Sequence, residues 1–204
     1  MEIPILILGG GTFFHVRNHL SIAAPAFGTT ARWLHEQLPN SALQLTKMAD
    51  SSSKLETNDD VEAFIHEALK NPGLKCLIMN VAMCDYDGQI EDLPSGKHAL
   101  RLKSRKGQQT MELTPSKKII ANIKSWRSDV FLIGFKTTTE HSPEEQIEAA
   151  LQMGKGSQCD LIFANDTVTR NNLLVTLDGT CLANSTNRTK VLEALVKVLE
   201  QQDF

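Results

Sequence analysis

The chain of 204 residues carries 21 basic and 24 acidic side chains, a net charge of −3, which argues against a general nucleic-acid binder with its basic excess. The length suits a single domain over residues 1–204, able to bury roughly 70% or more of its unfolded surface without disulfides or metal. Cys76, Cys84, Cys159 and Cys181 form no C-x-x-C pair, and the amino terminus has no basic region ahead of its short apolar stretch. With no run near the ~20 apolar residues of a membrane helix, the expectation is a reduced, soluble, cytoplasmic protein with neither nucleic acid nor membrane as partner.

Ile3, Ile5, Leu6, Ile7 and Leu8 read as a buried parallel strand. Gly9, Gly10, Gly11 and Thr12 then predict a loop, either one that brings backbone N–H groups against an anion or a tight turn without ligand. Thr12, His15, Arg17, Asn18 and His19 place hydroxyl, imidazole, guanidinium and amide groups in the same short stretch, which favours the ligand. A helix follows from Gly28 to Leu38, with Thr29 or Thr30 as cap and Pro39-Asn40 as stop. Ala42 to Met48 alternates as a strand. Asn58-Asp59-Asp60 caps a helix carrying Val61, Phe64, Ile65 and Leu69 at helical spacing, and Leu74 to Ala82 reads as another buried strand. This alternation of apolar strands with helices calls for an α/β fold, a parallel sheet with helices on both faces.

The chain then turns irregular from Asp85 to Gly96. Alternation on both sides of Lys106-Gly107 predicts a hairpin arm over about residues 99–114. Pro115 to Trp126 reads as a helix, Val130 to Gly134 as a strand, and Pro143 to Met153 as a helix capped by Ser142 with acids in its first turn. A strand at Leu161 to Ala164, a hairpin over Asp178-Gly179 and an amphipathic helix from Thr189 to Gln201 complete the chain.

Ligands of an open parallel sheet bind beyond the carboxyl ends of its strands. The stretches expected there are GGGT with Arg17, NVAMCDYD with Asn80 and Asp85, GFKTTT, and ANDTVTR with Asn165 and Asp166. Asp85 or Asn165 alone reads equally as a turn cap, but four polar loops at one sheet edge point to a site. Arg101, Lys103, Arg105 and Lys106 are either a solvated strand edge or a mobile clamp for a triphosphate. The histidines show no metal-ligand spacing, and the metal ligands stay unassigned. Neither G-x-x-x-x-G-K-[ST] nor G-x-G-x-x-G with a following acid is present, which disfavours P-loop and standard dinucleotide folds.

In their order GGT, VR, a closing Gly, A-x-x-D-Y, a basic hairpin, T-P, GF and A-N-D, these motifs resemble the phosphopantothenoylcysteine synthetase family, the ligase half of the bifunctional coenzyme A biosynthesis flavoprotein. The residues that carry the resemblance run from Gly10 to Asp166 and include Val16, Arg17, Gly28, Tyr86, Thr114, Pro115, Gly134 and Ala164. It implies a Rossmann-like, mostly parallel sheet, used as a homodimer. It also implies activation of the 4′-phosphopantothenate carboxylate by CTP or ATP with Mg2+, followed by attack of the L-cysteine amine on the acyl-nucleotide. By the same resemblance Gly10, Gly11, Thr12, Asn80, Val81, Phe135, Lys155 and Asn165 would hold nucleotide. Arg17, Asn18, Ser21 and Ala82 would hold the acid, and Arg101, Lys103 and Asp85 would act in catalysis.

The chain departs from the family pattern where an asparagine followed by Ser-Ser-Gly is usual, carrying Ser21, Ile22, Ala23, Ala24 and Pro25 instead. Asn18 or Ser21 would take over that contact, or the loop would serve another acid. Arg101 and Ser104 replace lysines of the hairpin, and Lys155 is offset from the usual register. The flavin-binding half is missing from the sequence, so a separate decarboxylase flavoprotein is the expected partner. A nucleotide-holding paralogue without ligase activity is the competing reading; a nicotinamide-dependent reductase is disfavoured, since no acid follows at the end of the second strand.

Overall fold

The computed structural model describes residues 4–202 and Phe204. Strand β1 (Ile5–Gly11) is buried along its length. Ile5 and Ile7 enter one core and Leu6 and Leu8 the other, the pattern of a parallel strand covered on both faces. Ile3, expected to begin this strand, lies outside the described residues. The loop expected at Gly9 to Thr12 is corrected: the strand runs through all three glycines, paired in register with Asn80, Val81 and Ala82. A Cβ on Gly9 would stand 2.3 Å from that of Ala31, and one on Gly11 would stand 2.0 Å from the carbonyl oxygen of Ala24. The glycines therefore serve close packing of chain onto strand.

Strands β2 (Phe13–Arg17) and β3 (Leu20–Ala23) form an antiparallel ribbon where a substrate loop was expected. Helix α1 (Thr29–Gln37) is capped by neither threonine; Gly28, at φ 74°, occupies the cap position and no side chain covers the first amides. After β4 (Ser41–Leu45), helix α2 (Asn58–Ala68) takes its cap one residue earlier than expected. The Thr57 side chain accepts from the Asp60 amide while Asp60 accepts from the Thr57 amide, a reciprocal box that leaves Asn58 free for a tertiary role. Strand β5 (Cys76–Ala82) follows as predicted.

The arm keeps its expected second strand but takes a different first one. β6 (Tyr86–Ile90) pairs antiparallel with β7 (Met111–Pro115), and Arg101 to Gly107 belong to their long connection, which holds a short 3-10 turn at Ser104–Lys106. The physical reason is burial: Gly88 and Ile90 pack inward, whereas the basic segment has little to bury, with Leu100 83% exposed. The helix expected from Pro115 to Trp126 shrinks to a 3-10 turn at Ile119–Asn122 running into α3 (Ile123–Trp126), with no side-chain cap at Lys118 or Asn122. Beyond it come β8 (Phe131–Thr138), α4 (Pro143–Ser157), β9 (Leu161–Asp166), β10 (Asn172–Thr176), β11 (Cys181–Ser185) and α5 (Arg188–Glu200). β8 and β9 both outrun expectation, because Lys136, Thr137 and Thr138 pair with Ala164, Asn165 and Asp166. The GFKTTT and AND segments are thus strand ends, not loops.

The main sheet has seven strands in the order β11-β10-β9-β8-β5-β1-β4, parallel from β4 to β9 and antiparallel at β10 and β11. This is the predicted Rossmann-like α/β architecture. Val61 and Ile65 of α2, Ile123 of α3 and Ala150 of α4 pack on one face; Ala31 and Leu34 of α1 and Val191 and Leu195 of α5 pack on the other. From β1 the chain first moves outward to β4, then crosses to β5, β8 and β9. That reversal places a crevice beside the carboxyl ends of β1 and β5.

Candidate functional site

A cavity of about 480 Å³ opens at this crevice, beyond the ends of β5 and β8. Its apolar floor includes Met79, Val81 and Phe135, and Phe135 is held by stacking on Phe163 with ring centroids 5.1 Å apart. Ala24 and Pro25, leaving β3, close one side. The polar rim has Lys117, Lys118 and Lys136 against one carboxylate, Asp85, an excess of positive charge suited to an anionic ligand.

Lys118 pairs with Asp85 across the rim, yet the two side chains are 65% and 68% exposed. In water such a pair contributes little to folding, so it is free to exchange partners with a ligand. The Asp85 carboxylate contacts this lysine, and the turn below it is closed instead by the Asp85 carbonyl, which accepts from the Ser116 amide at 2.9 Å. Its geometry therefore departs from that of a turn cap. Cys84, also at the cavity, is buried and donates its S–H to the Thr12 carbonyl at 3.3 Å. Burial pushes its thiol pKa up against the opposing pull of its hydrogen bonds, so it stays a neutral thiol rather than a nucleophile.

Of the residues expected in the site, Val81, Ala82, Asp85 and Phe135 line the cavity together. Asn165 borders it through Thr137, a cavity residue whose hydroxyl donates to the Asn165 amide oxygen at 3.4 Å. Others are placed elsewhere. Gly10 and Gly11 are strand residues packed under Thr46 and Ala24, and Asn80 lies half-buried in β5 opposite Gly9. Lys155 is exposed on α4, and Arg101 and Lys103 are exposed on the arm connection, none of them lining the cavity.

Two expected ligand contacts are corrected by burial. The Thr12 hydroxyl is fully buried, donates to Asn58 Oδ1 at 2.7 Å and accepts the Cys84 amide at 2.9 Å. It ties β1, α2 and the end of β5 together and has no face left for a phosphate. Arg17 is only 2% exposed, and its guanidinium donates to the carbonyls of Ile90 and of Val16, the latter at 2.7 Å. It pins the β2–β3 ribbon to the arm. The neighbouring polar groups likewise turn to one another: Asn18 Oδ1 contacts His19 Nδ1 at 3.0 Å, and Ser21 Oγ contacts His15 Nδ1 at 2.8 Å.

Asp166, in the A-N-D motif, is also structural in geometry. It is 3% exposed and accepts from the Thr138 hydroxyl and from the amides of Glu140, His141, Val168 and Thr169. Burial by itself would raise its pKa, but these donors outweigh it and hold the carboxyl well below the usual carboxylate range. Sequence reasoning missed Lys117, Lys118 and Lys136. The first two stand two and three residues after Pro115 and read as the solvated face of a helix that does not form there.

The chain matches, over residues 40–199, the family of DNA/pantothenate metabolism flavoprotein C-terminal domains. It is 30% identical over 117 residues to the coenzyme A biosynthesis bifunctional protein CoaBC of Thermococcus kodakarensis. That alignment takes in 57% of this chain but 27% of the other, so the chain matches about a quarter of the length of that relative. Among solved structures, the DNA/pantothenate metabolism flavoprotein from Streptococcus pneumoniae superposes with a TM-score of 0.82 at 21% identity, covering 97% of this chain and 98% of that one. A Cab2 variant in complex with phosphopantothenate-cysteine superposes with a TM-score of 0.67 at 13% identity, covering 96% of this chain and 86% of that one. At these identities the solved structures establish a shared fold.

Proposed function

The chain belongs to the family of DNA/pantothenate metabolism flavoprotein C-terminal domains, and we propose on that footing that it is a phosphopantothenate–cysteine ligase of coenzyme A biosynthesis. The observation that carries the reading is the cavity at the reversal point of the sheet, with an apolar floor and a rim of Lys117, Lys118 and Lys136 against Asp85. An oxygen of the 4′-phosphopantothenate carboxylate attacks the α-phosphorus of CTP or ATP, and pyrophosphate leaves. The cysteine amine then attacks the acyl carbon, loses a proton and releases the nucleoside monophosphate. The rim lysines offset the charge of phosphates and carboxylate, while Met79, Val81 and Phe135 keep water from the reactive acyl-nucleotide.

Asp85 fits a magnesium ion of the kind held by one or two carboxylates together with substrate phosphates; no group of three or more potential metal ligands gathers among the described residues. Such an ion would neutralise charge on the triphosphate. Arg101 and Lys103, exposed on the arm connection, would reach the triphosphate from outside. The same reading carries a homodimer, a cytoplasmic location and a separate decarboxylase flavoprotein that takes the product.

A second reading, a protein that holds nucleotide without ligating, is favoured by Arg17 and Ser21, whose polar groups are engaged by Ile90, Val16 and His15 rather than presented to an acid. Pyrophosphate release in the presence of 4′-phosphopantothenate, L-cysteine, Mg2+ and either CTP or ATP separates the two. Release that requires the acid supports the ligase and identifies the nucleotide; binding of nucleotide without release supports the second reading.

A further inference from the structure

Between β5 and β6 the chain leaves strand structure for three residues, Met83, Cys84 and Asp85, and all three line the cavity. Buried backbone outside a ladder must find other partners for its amides and carbonyls. Cys84, 3% exposed, finds them in one side chain: Asn58 Nδ2 donates to the Cys84 carbonyl at 2.8 Å, and Asn58 Oδ1 accepts from the Cys84 amide at 3.1 Å. The same amide donates to Thr12 Oγ1 at 2.9 Å, and the Thr12 hydroxyl donates in turn to Asn58 Oδ1 at 2.7 Å. A flipped Asn58 amide would set donor against donor and acceptor against acceptor, so this orientation alone meets both needs.

Nothing local requires asparagine at this position. Asn58 is the first residue of α2, whose cap is the reciprocal Thr57–Asp60 box, and Val61 and Ile65 anchor that helix in the core. Its amide therefore reaches from a fixed helix to a residue 26 positions away. Asp85 comes next in the chain. The Asp85 carbonyl accepts from the Ser116 amide at 2.9 Å, so the backbone is held on both sides of this residue, while its carboxylate stays exposed at the rim and contacts Lys118. A side chain that must meet a ligand at a set place needs such a fixed stem and a free end.

We propose that Asn58 is a positioning residue, which sets the place of the Asp85 carboxylate in the cavity by clamping the peptide groups of Cys84. The inference rests on the ligase reading for the role of Asp85. Without the clamp the Cys84 carbonyl has lost its donor, and the segment from Met83 to Asp85 relaxes away from the geometry that turnover needs. The apolar floor and the rim lysines are untouched, so the rate falls while affinity for the nucleotide holds.

Asn58→Leu removes the amide at similar size. In pyrophosphate release its kcat should fall by on the order of 10- to 100-fold, with KM for the nucleotide within about twofold of wild type. Thr57→Ala is the control, because it weakens the same helix at its cap but keeps the Asn58 amide; its thermal midpoint should fall with kcat unchanged. In a double-mutant cycle, Asn58→Leu added to Asp85→Asn should cost less than about a further twofold in kcat, since the group it positions is already gone. An unchanged kcat in Asn58→Leu overturns the role, as does an equal loss in Thr57→Ala or a full additional loss in the Asp85→Asn background. Should Asn58→Leu not fold by circular dichroism, Asn58→Asp, which keeps the acceptor and loses the donor, takes its place in the cycle. Amide hydrogen exchange read by NMR separates the clamp from the ligase reading: exchange at Cys84 should quicken in the Asn58 variant and not in Thr57→Ala. A wild type that releases no pyrophosphate, with quickened exchange in the Asn58 variant, refutes the ligase reading and leaves the clamp standing. Unchanged exchange refutes the clamp.

Discussion

Two polar regions flank the same crevice and differ in one respect, the fate of their hydrogen-bonding groups. On the β1–β2 side, Thr12 and Arg17 are buried with their donors and acceptors engaged by Asn58, Cys84, Val16 and Ile90. On the β5–β8 side, Asp85, Lys117 and Lys118 are exposed around a cavity, with the Lys118 and Asp85 side chains in direct contact only with each other. The first region carried the more conspicuous motif, yet the second has chemistry to offer. A polar side chain is available to a ligand only when the fold has left its capacity unfilled.

The comparison breaks most readily at Arg17. Arg17→Ala should destabilise the protein by roughly 3 kcal/mol, because it opens a gap between ribbon and arm and leaves the Ile90 and Val16 carbonyls without their donor. Chemical denaturation gives the value; a stable variant defective only in use of the acid would return Arg17 to the site.

Asp166 offers a test by pH. Its folded pKa lies below the unfolded value of 3.8, so its contribution is present above that value and is lost as pH falls toward the folded pKa. Asp166→Asn should be clearly less stable than wild type from pH 7 to about pH 4, and the gap should narrow in more acid solution. Denaturant midpoints of both proteins at pH 7, 4 and 3 would show it, and a gap that does not change with pH would contradict the assignment.

For the opposite wall, Lys118→Gln should lower kcat/KM by on the order of 10- to 100-fold, the loss of one charge-assisted contact to an anion. Its thermal midpoint should hardly move, since the partner Asp85 is equally exposed. A fall in stability with unchanged kinetics would place Lys118 with the structural group. Thr12→Val keeps shape but removes the hydroxyl between Asn58 and Cys84, and should cost about 1 kcal/mol, the low end for a lost hydrogen bond. Nucleotide affinity measured in that variant should equal the wild-type value if Thr12 only ties strands together.

The alternation of main-sheet strands with their covering helices and the parallel sheet were legible in the chain alone. They follow from local patterns: apolar runs in β1 and β5, the Ser142–Glu145 capping box, and helical spacing in α5. Such patterns depend on neighbours within a few residues, and so does the turn chemistry of Asp178-Gly179. What only the tertiary structure decided is which polar residues are used up. Arg17 is satisfied by Ile90, 73 positions away, and Thr12 by Cys84, 72 positions away. The same holds for the arm, whose first strand is set by the burial of Gly88 beneath Val16 and Ile22 rather than by alternation near Lys106. Hydrogen-bond saturation and close packing belong to pairs brought together by the fold, so residue type and spacing along the chain do not contain them.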